Sequence, residues 1–395
     1  MQLLPGALAL LLSLVWPALA QTPLKIGVLT DEAGNFAAVS GQGSVVAARM
    51  AAEDFGGSVL GRPIVVVDAD HKNKPDLALS IAREWYDGDV YAIVDLVNSA
   101  VALAVQDLAR QKGRIALFSG PGTVDLTGPR CAPTTFLWTW DTYADAVVPV
   151  QALMARGGRK WFFLTADFAF GAAMQRDATA ALTAAGGTVA GFAKHPLGET
   201  DFASYLLQAQ ASGADVLALA DGGADLINAI KQAAEFGITR TQKVAALALN
   251  ITDIHALGLA QAQGLITTEA FYWDRDAAAR AFSRRFLARH GAMPTQGQAG
   301  LYSAVLHMLK AMAAAGTDDP TAVAAMMRHL PVEDAFAHGG HVRGDGRMVH
   351  EMYLVQVKSP AESHEPWDYY RVLATVPGDT AFRPRAAGGC TLPED

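Results

Sequence analysis

Short apolar runs alternate with stretches of helical spacing along most of this chain. Residues 24–30 (Leu-Lys-Ile-Gly-Val-Leu-Thr) form an apolar run. Residues 43–55 follow with apolar positions at helical intervals and stop at Gly56-Gly57. The alternation continues as strand 63–69, helix 75–86, strand 91–96, helix 100–111 and strand 114–119. A second series begins past Thr139. It reads helix 144–155, strand 160–165, helix 171–185, strand 188–193, helix 202–211, strand 215–220, helix 224–236, strand 244–249 and strand 265–269. Residues 275–290, 298–314 and 321–329 are mainly helical, and strands at 352–357 and 369–375 close the globule. Strand runs that are continuously apolar are buried on both faces, as in a parallel sheet covered by helices. Strict β–α alternation predicts the same arrangement.

Each parallel sheet needs its own core, so the chain is expected to be α/β, with two doubly wound parallel-sheet lobes joined by several crossovers. The late helices return to cover the first lobe. The expected division is a leader over 1–20, a first lobe from 21–139 and 272–347, a second from 140–271 and 348–378, and a tail over 379–395. Open α/β sheets bind ligands at the carboxyl ends of their strands. With two such sheets facing each other, the site falls in the cleft between lobes.

Composition narrows the class. The chain has 395 residues, 51% hydrophobic and 18% charged, which is enough for more than one core and unlike a disordered chain. Acidic residues outnumber basic ones 39 to 31, for a net charge of −8. That sign argues against a nucleic-acid partner. Residues 1–20 carry no charged side chain, and the apolar run at 3–15 is broken only by Pro5, Gly6 and Ser13. Ala18-Leu19-Ala20 reads as the cleavage site of a secretory signal peptide. The run is short for a membrane span, and no later segment reads as one. The expected product is periplasmic and not membrane-spanning when mature. Export would place Cys131 and Cys390 in an oxidising compartment. A disulfide between them would pin the tail to the body, and two separate buried thiols are the alternative.

Residue patterns that carry catalysis are weak here. Neither cysteine belongs to a CxxC or CxxH pair, so no thiolate zinc site is expected. His338-Gly339-Gly340-His341, with His350 nearby, lacks the helical i, i+4 spacing of a zinc helix and reads as a surface loop. His71 reads as a cleft-rim or cap residue. Gly41-Gln42-Gly43 has Val46 where a dinucleotide fingerprint needs its third glycine. No nucleophile elbow surrounds Ser99 or Ser119. No enzyme activity, cofactor or metal is expected.

One set of pieces is specific through its order and spacing. It comprises Gly41-Gln42-Gly43, Phe55-Gly56-Gly57 leading to Gly61 and Pro63, and Asp68-Ala69-Asp70-His71-Lys72-Asn73-Lys74-Pro75. Asn98-Ser99-Ala100 and Ser119-Gly120-Pro121-Gly122-Thr123 follow. Phe168-Ala169-Phe170-Gly171, Asp201-Phe202-Ala203, the stretch 233–237 and Gly344-Asp345-Gly346 complete it. In these the chain resembles the periplasmic substrate-binding proteins of ABC transporters, of the branched-chain amino acid type. The resemblance implies a type I, Venus-flytrap receptor that delivers a small ligand to the permease subunits of an ABC importer. It also implies that Ser99 and Thr123, beside the main chain of Ala100 and Gly122, hold a ligand carboxylate. Helix N-termini suit that task, because their free N–H groups and partial positive charge need no arginine. The plain alternatives are that Ser99 caps a helix and Thr123 shapes a turn.

The other half of the site departs from the family pattern. Amino-acid binders place a tyrosine where Phe170 stands and a glutamate near Leu247, with a register uncertainty of two residues. Residues 244–249 contain no acid. A buried ammonium without acceptors costs several kcal/mol, so the ligand is expected to lack an α-amino group. Asp221 and Asp141 are the acids that would replace the missing one. Trp138, Trp140 and Tyr143 cluster where the chain first crosses between lobes, and Phe168, Phe170, Phe271 and Tyr272 stand near other strand ends. Rings opposite a carboxylate clamp favour an aromatic or aryl-aliphatic acid. Branched-chain or other amino acids, a sensory role at a membrane receptor, and hinge packing for about half of these rings remain the alternatives.

Overall fold

In the computed structural model, which describes residues 22–393, the first apolar run becomes β1 (Leu24–Thr30). Five strands join it: β2 (Ser58–Val59), β3 (Arg62–Asp70), β4 (Val90–Asp95), β5 (Ile115–Phe118) and β6 (Thr135–Leu137). Their order is β2-β3-β1-β4-β5-β6, and only the β2–β3 pairing is antiparallel. Burial on both faces explains the unbroken apolar runs. Leu24, Ile26 and Val28 enter one core, and Leu29, Ile93 and Phe118 enter another. Helix α1 (Gly41–Phe55) supplies the first core, while α2 (Pro75–Asp87) and α3 (Ser99–Lys112) supply the second. Local signals fix the ends: proline opens α2, the Asn98 side chain caps α3, and Gly113 closes α3 in a left-handed conformation.

The second sheet holds β7 (Lys160–Ala166), β8 (Thr188–His195), β9 (Val216–Ala220) and β10 (Lys243–Ala246) in the order β10-β9-β7-β8, all parallel. Helices α4 (Thr142–Ala155), α5 (Ala169–Ala184), α6 (Ala203–Ala211) and α7 (Gly223–Glu235) accompany it. Two readings need correction. The strand expected over 244–249 ends at Ala246, and the chain turns at residues 247–248. After α8 (Ile251–Leu257) and α9 (Leu259–Ala262), the strand expected to extend this sheet leaves it. As β11 (Ile266–Glu269) it pairs antiparallel with a late strand. These two helices, seven and four residues long, are a poor crossover for another parallel strand.

Helices α10 (Ala277–His290), α11 (Gln296–Ala315) and α12 (Pro320–His329) follow. They return to the first lobe's side. Tyr302 on α11 donates to Asp54 on α1 (2.8 Å), and Arg285 on α10 pairs with the same carboxylate (2.6 Å). The short strands β12 (His341–Val342) and β13 (Met348–Val349) form a two-stranded ladder that the sequence pattern did not announce. Strands β14 (Met352–Val357) and β15 (Tyr370–Val376) join β11 in a three-stranded sheet ordered β11-β14-β15. His338 is exposed and pairs with Glu333 and Asp276, as a surface residue does. The structure links Cys131 to Cys390 by a disulfide, with Cα atoms 5.7 Å apart and a sequence separation of 259. The leader read over 1–20 lies outside the described residues.

The crossovers are tied together by one buried cation. Arg347 donates to the carbonyls of Thr139 (2.8 Å), Trp140 (2.9 Å), Met348 (2.9 Å) and Trp138 (3.3 Å). Its guanidinium lies 3.5 Å from Asp141 and stacks 3.8 Å from the Phe382 ring centre. His350 adds a contact from Nε2 to the Thr139 carbonyl (2.6 Å). Beside this knot, both carboxylate oxygens of Asp145 are buried without a hydrogen-bond partner. Burial, then the charges of Glu269 and Asp141, hold the Asp145 carboxyl well above the usual carboxylate range. The folded state therefore keeps a proton that the unfolded chain releases, and stability falls as pH rises from about 4 towards the folded value. Asp145→Asn is expected to remove that term. Urea melts should show it more stable than wild type at pH 8, by on the order of 1–2 kcal/mol, with the gain gone by pH 4. Equal pH profiles for the two proteins would refute this.

Candidate functional site

The carboxyl ends of β4 and β5 on one lobe face those of β7, β9 and β10 on the other. Between them lies a cavity. Phe36, Val39, Val97, Gly120 and Gly122 line the first lobe's side, with Gly297 at the start of α11. Phe168, Phe170, Gly222, Gly223, Ala248 and Asn250 line the second lobe's side, and Trp140 on the first crossover completes the wall.

Four rings form a continuous aromatic surface. Phe36 meets Phe168 at 6.2 Å, Phe168 meets Phe170 at 5.9 Å, and Phe170 meets Trp140 edge-on at 5.8 Å. Such tilted and edge contacts suit the ring quadrupoles. The indole has its place because Gly122 lacks a side chain: a Cβ there would lie 2.4 Å from the Trp140 ring. Gly122, Trp140 and Phe170 are thus brought together. Phe36 was missed by the sequence reading, because it sits in a loop with no periodic signal. A loop aromatic just after a first-strand acid was the available clue.

Other expected residues stand elsewhere. Ser99 occupies the first position of α3, and its Oγ is buried without a partner two residues beyond the cavity-lining Val97. Ala100 faces an outer groove with Leu103 and Asp107, and its N–H is taken by the Asn98 side chain (2.9 Å). It therefore offers no amide to a ligand. Thr123 is buried, and its Oγ1 accepts from the Asp125 N–H (3.4 Å), which is the turn-capping role. Tyr143, in the first turn of α4, lines a separate groove with Arg176 and Arg383.

Leu247 is buried behind the wall, whereas Ala248 and Asn250 reach the cavity. The turn after Ala246 displaces the register. Asp221 is buried and absent from the cavity wall. Its Oδ1 accepts from the Gly222 N–H (2.7 Å), and its Oδ2 lies 3.1 Å from His195 Nε2. Asp141 caps α4 through the Ala144 N–H and pairs with Arg347. Trp138 donates to Ser303 in the core. Phe271 and Tyr272 pack among Phe282, Phe336 and Tyr370.

Among the described residues, His195, Asp221 and Asp225 form the one group with metal-ligand spacing, their ligand atoms lying within 4.8 Å of one another. His195 Nε2 and Asp221 Oδ2 face each other without completing a hydrogen bond, and the remaining contacts are to protein groups. His195 Nδ1 lies 3.0 Å from the Pro196 carbonyl, its Nε2 faces Asp221, and Asp225 accepts from the Gly198 N–H (2.8 Å). Burial opposes charging of His195, but Asp221 and the Pro196 carbonyl outweigh it and hold the imidazole above its ordinary value. The cluster is a buried His195–Asp221 ion pair with the Asp225 carboxylate beside it.

Comparison with known proteins places this geometry. The periplasmic binding protein family model matches residues 23–363. A periplasmic binding protein from Burkholderia mallei is 47% identical, with a TM-score of 0.92 over 94% of this chain and 99% of its own. A branched-chain amino acid ABC transporter periplasmic ligand-binding protein from Burkholderia xenovorans is 42% identical, with a TM-score of 0.83 over 93% and 99%. An ABC-transporter solute-binding protein from R. palustris, solved with benzoate, is 19% identical and shares the fold, with a TM-score of 0.82 over 94% and 100%. No curated protein matches the chain. The matched family and these neighbours are transport substrate-binding proteins rather than enzymes. The chain belongs to the periplasmic binding protein family, the solute-binding proteins of ABC transporters.

Proposed function

We propose that this protein captures a small aromatic or aryl-aliphatic carboxylate between its lobes and delivers it to the permease subunits of an ABC importer. It acts in the periplasm, with residues 1–20 as its leader. The lobes divide near residues 139, 271 and 347. No helix among the described residues is long and apolar enough to cross a membrane.

The observation that carries this reading is the lining itself: four rings, small residues, and Asn250 as the polar side chain, with no carboxylate. An amino acid's ammonium would meet no counter-charge there, at a cost of several kcal/mol. A benzene ring suits this wall, because aromatic rings pack favourably edge to face. The Gly120 N–H is directed at the Asp95 carbonyl (3.5 Å), so the Gly122 main-chain N–H and the unpartnered Ser99 hydroxyl are the first-lobe donors nearest in sequence to that wall. A solute-binding protein of this fold from R. palustris is solved in complex with benzoate.

Titration calorimetry tests the assignment. Benzoate, 4-hydroxybenzoate and phenylacetate are compared with leucine, isoleucine and valine. At least one aromatic acid is expected to bind near 1 μM, which is about −8 kcal/mol. Tight leucine binding with no response to the aromatic acids would reverse the reading.

A further inference from the structure

The loop carrying Phe36 also touches the opposite lobe through its preceding residue. Asn35 Nδ2 donates to the Gly222 carbonyl (3.0 Å), and Asn35 Oδ1 accepts from the Asp225 N–H (3.0 Å). The Asn35 main-chain carbonyl accepts from the Ala224 N–H (3.1 Å). Ala224 and Asp225 lie in the first turn of α7, where N–H groups have no acceptor within their own helix. Asn35 provides those acceptors from across the cleft. Its amide presents one donor and one acceptor, and the Gly222 carbonyl and Asp225 N–H are complementary to it in a single orientation.

The loop is shaped for this contact within its own lobe. Asp31 accepts from the N–H groups of Gly34 (2.9 Å) and Phe36 (2.9 Å) and from the Asn73 side chain (2.7 Å). A second observation on the other lobe agrees. Gly223 has φ +68°, and a Cβ there would lie 2.3 Å from the Asn35 carbonyl oxygen. The two lobes meet there in direct contact, and only a glycine leaves room.

We propose that Asn35 is a positioning residue for ligand capture. It clasps the start of α7 through contacts that run from protein to protein, and these favour the closed form whether or not a ligand is bound. The proposal rests on reading the chain as a lobe-closing binder, and it does not depend on which ligand is bound.

Amide hydrogen exchange resolved to single residues tests it on the full chain, without ligand and with benzoate. Opening the lobes bares the Ala224 and Asp225 amides. In the ligand-free wild type they are expected to exchange at least about 5-fold more slowly than in Asn35→Ala. The Val101 amide, capped inside the first lobe by Asn98 (3.2 Å), should be unaffected. Asn35→Ala should also weaken benzoate binding by about 10-fold, through the lost closed state. If Asn35→Ala loosens the fold, as a faster Val101 amide would reveal, Gly223→Ala gives the reading. Its methyl blocks seating with Asn35 intact, and it should expose the same two amides. Equal exchange at Ala224 and Asp225 in the ligand-free wild type and the informative variant would overturn the proposal. Failure of benzoate to bind, with the ligand-free difference preserved, would count against the ligand class and leave the clasp standing.

Discussion

Arg347→Ala is expected to cost at least about 4 kcal/mol of folding stability. The guanidinium is completely buried, and burial draws it down to about 10, still charged at neutral pH. It satisfies four carbonyls on two crossovers and faces Asp141. Removing it leaves several of those acceptors dry. Each such buried group costs about 1–3 kcal/mol, and an orphaned buried carboxylate costs more. Thr139 alone keeps a contact, from His350. Arg347→Lys should recover only part of the loss, since an ammonium lacks the planar fork that spans Trp138 to Met348. Urea unfolding monitored by tryptophan fluorescence measures the change. A shift below 1 kcal/mol would mean that the crossovers are held by something else.

Trp140→Ala should weaken binding of the aromatic acid at least about 100-fold, equivalent to about 2.7 kcal/mol. The indole is nearly buried and forms the end of the ring wall against Phe170. Its removal enlarges the cavity and deletes the edge-to-face partner. The main-chain link from Trp140 to Arg347 survives the substitution, so the crossover should keep its path. A stability loss of about 3–5 kcal/mol is expected alongside, as for other buried large-to-small changes. Trp140→Phe should bind within roughly tenfold of wild type, because most of the apolar surface remains. Calorimetry on both variants decides the matter. Unchanged affinity in Trp140→Ala would show that the ring wall does not select the ligand.

The fold was legible because its central strands are buried on both sides. Residues 160–165 and 215–220 could be read from runs that are apolar and buried at almost every position, and glycine or proline marked most helix ends. Very short strands such as Thr135–Leu137 left no periodic trace. The departure of Ile266–Glu269 to an antiparallel partner was invisible, because pairing direction is set by a strand nearly ninety positions away. The site was legible only in part. Trp140 and Phe170 could be chosen because aromatic residues beside strand ends are conspicuous. Ala100 failed because Asn98 folds back on its amide, a local competition that composition does not reveal. Leu247 failed because a two-residue turn exchanges inward for outward positions. Asn35 and Phe36 were missed because loop residues acquire their meaning only when the lobes meet.

The bond between Cys131 and Cys390 turns the intervening polypeptide into a covalent ring. That ring contains the entire second sheet and every late helix of the first lobe. It also contains the largely exposed segment 360–366, a natural target for proteases. One cut inside the ring opens it without releasing either fragment. The severed halves stay tethered at high effective concentration, so their packed surfaces can hold or re-form. A clipped molecule of this kind keeps both jaws of its cleft on a single particle.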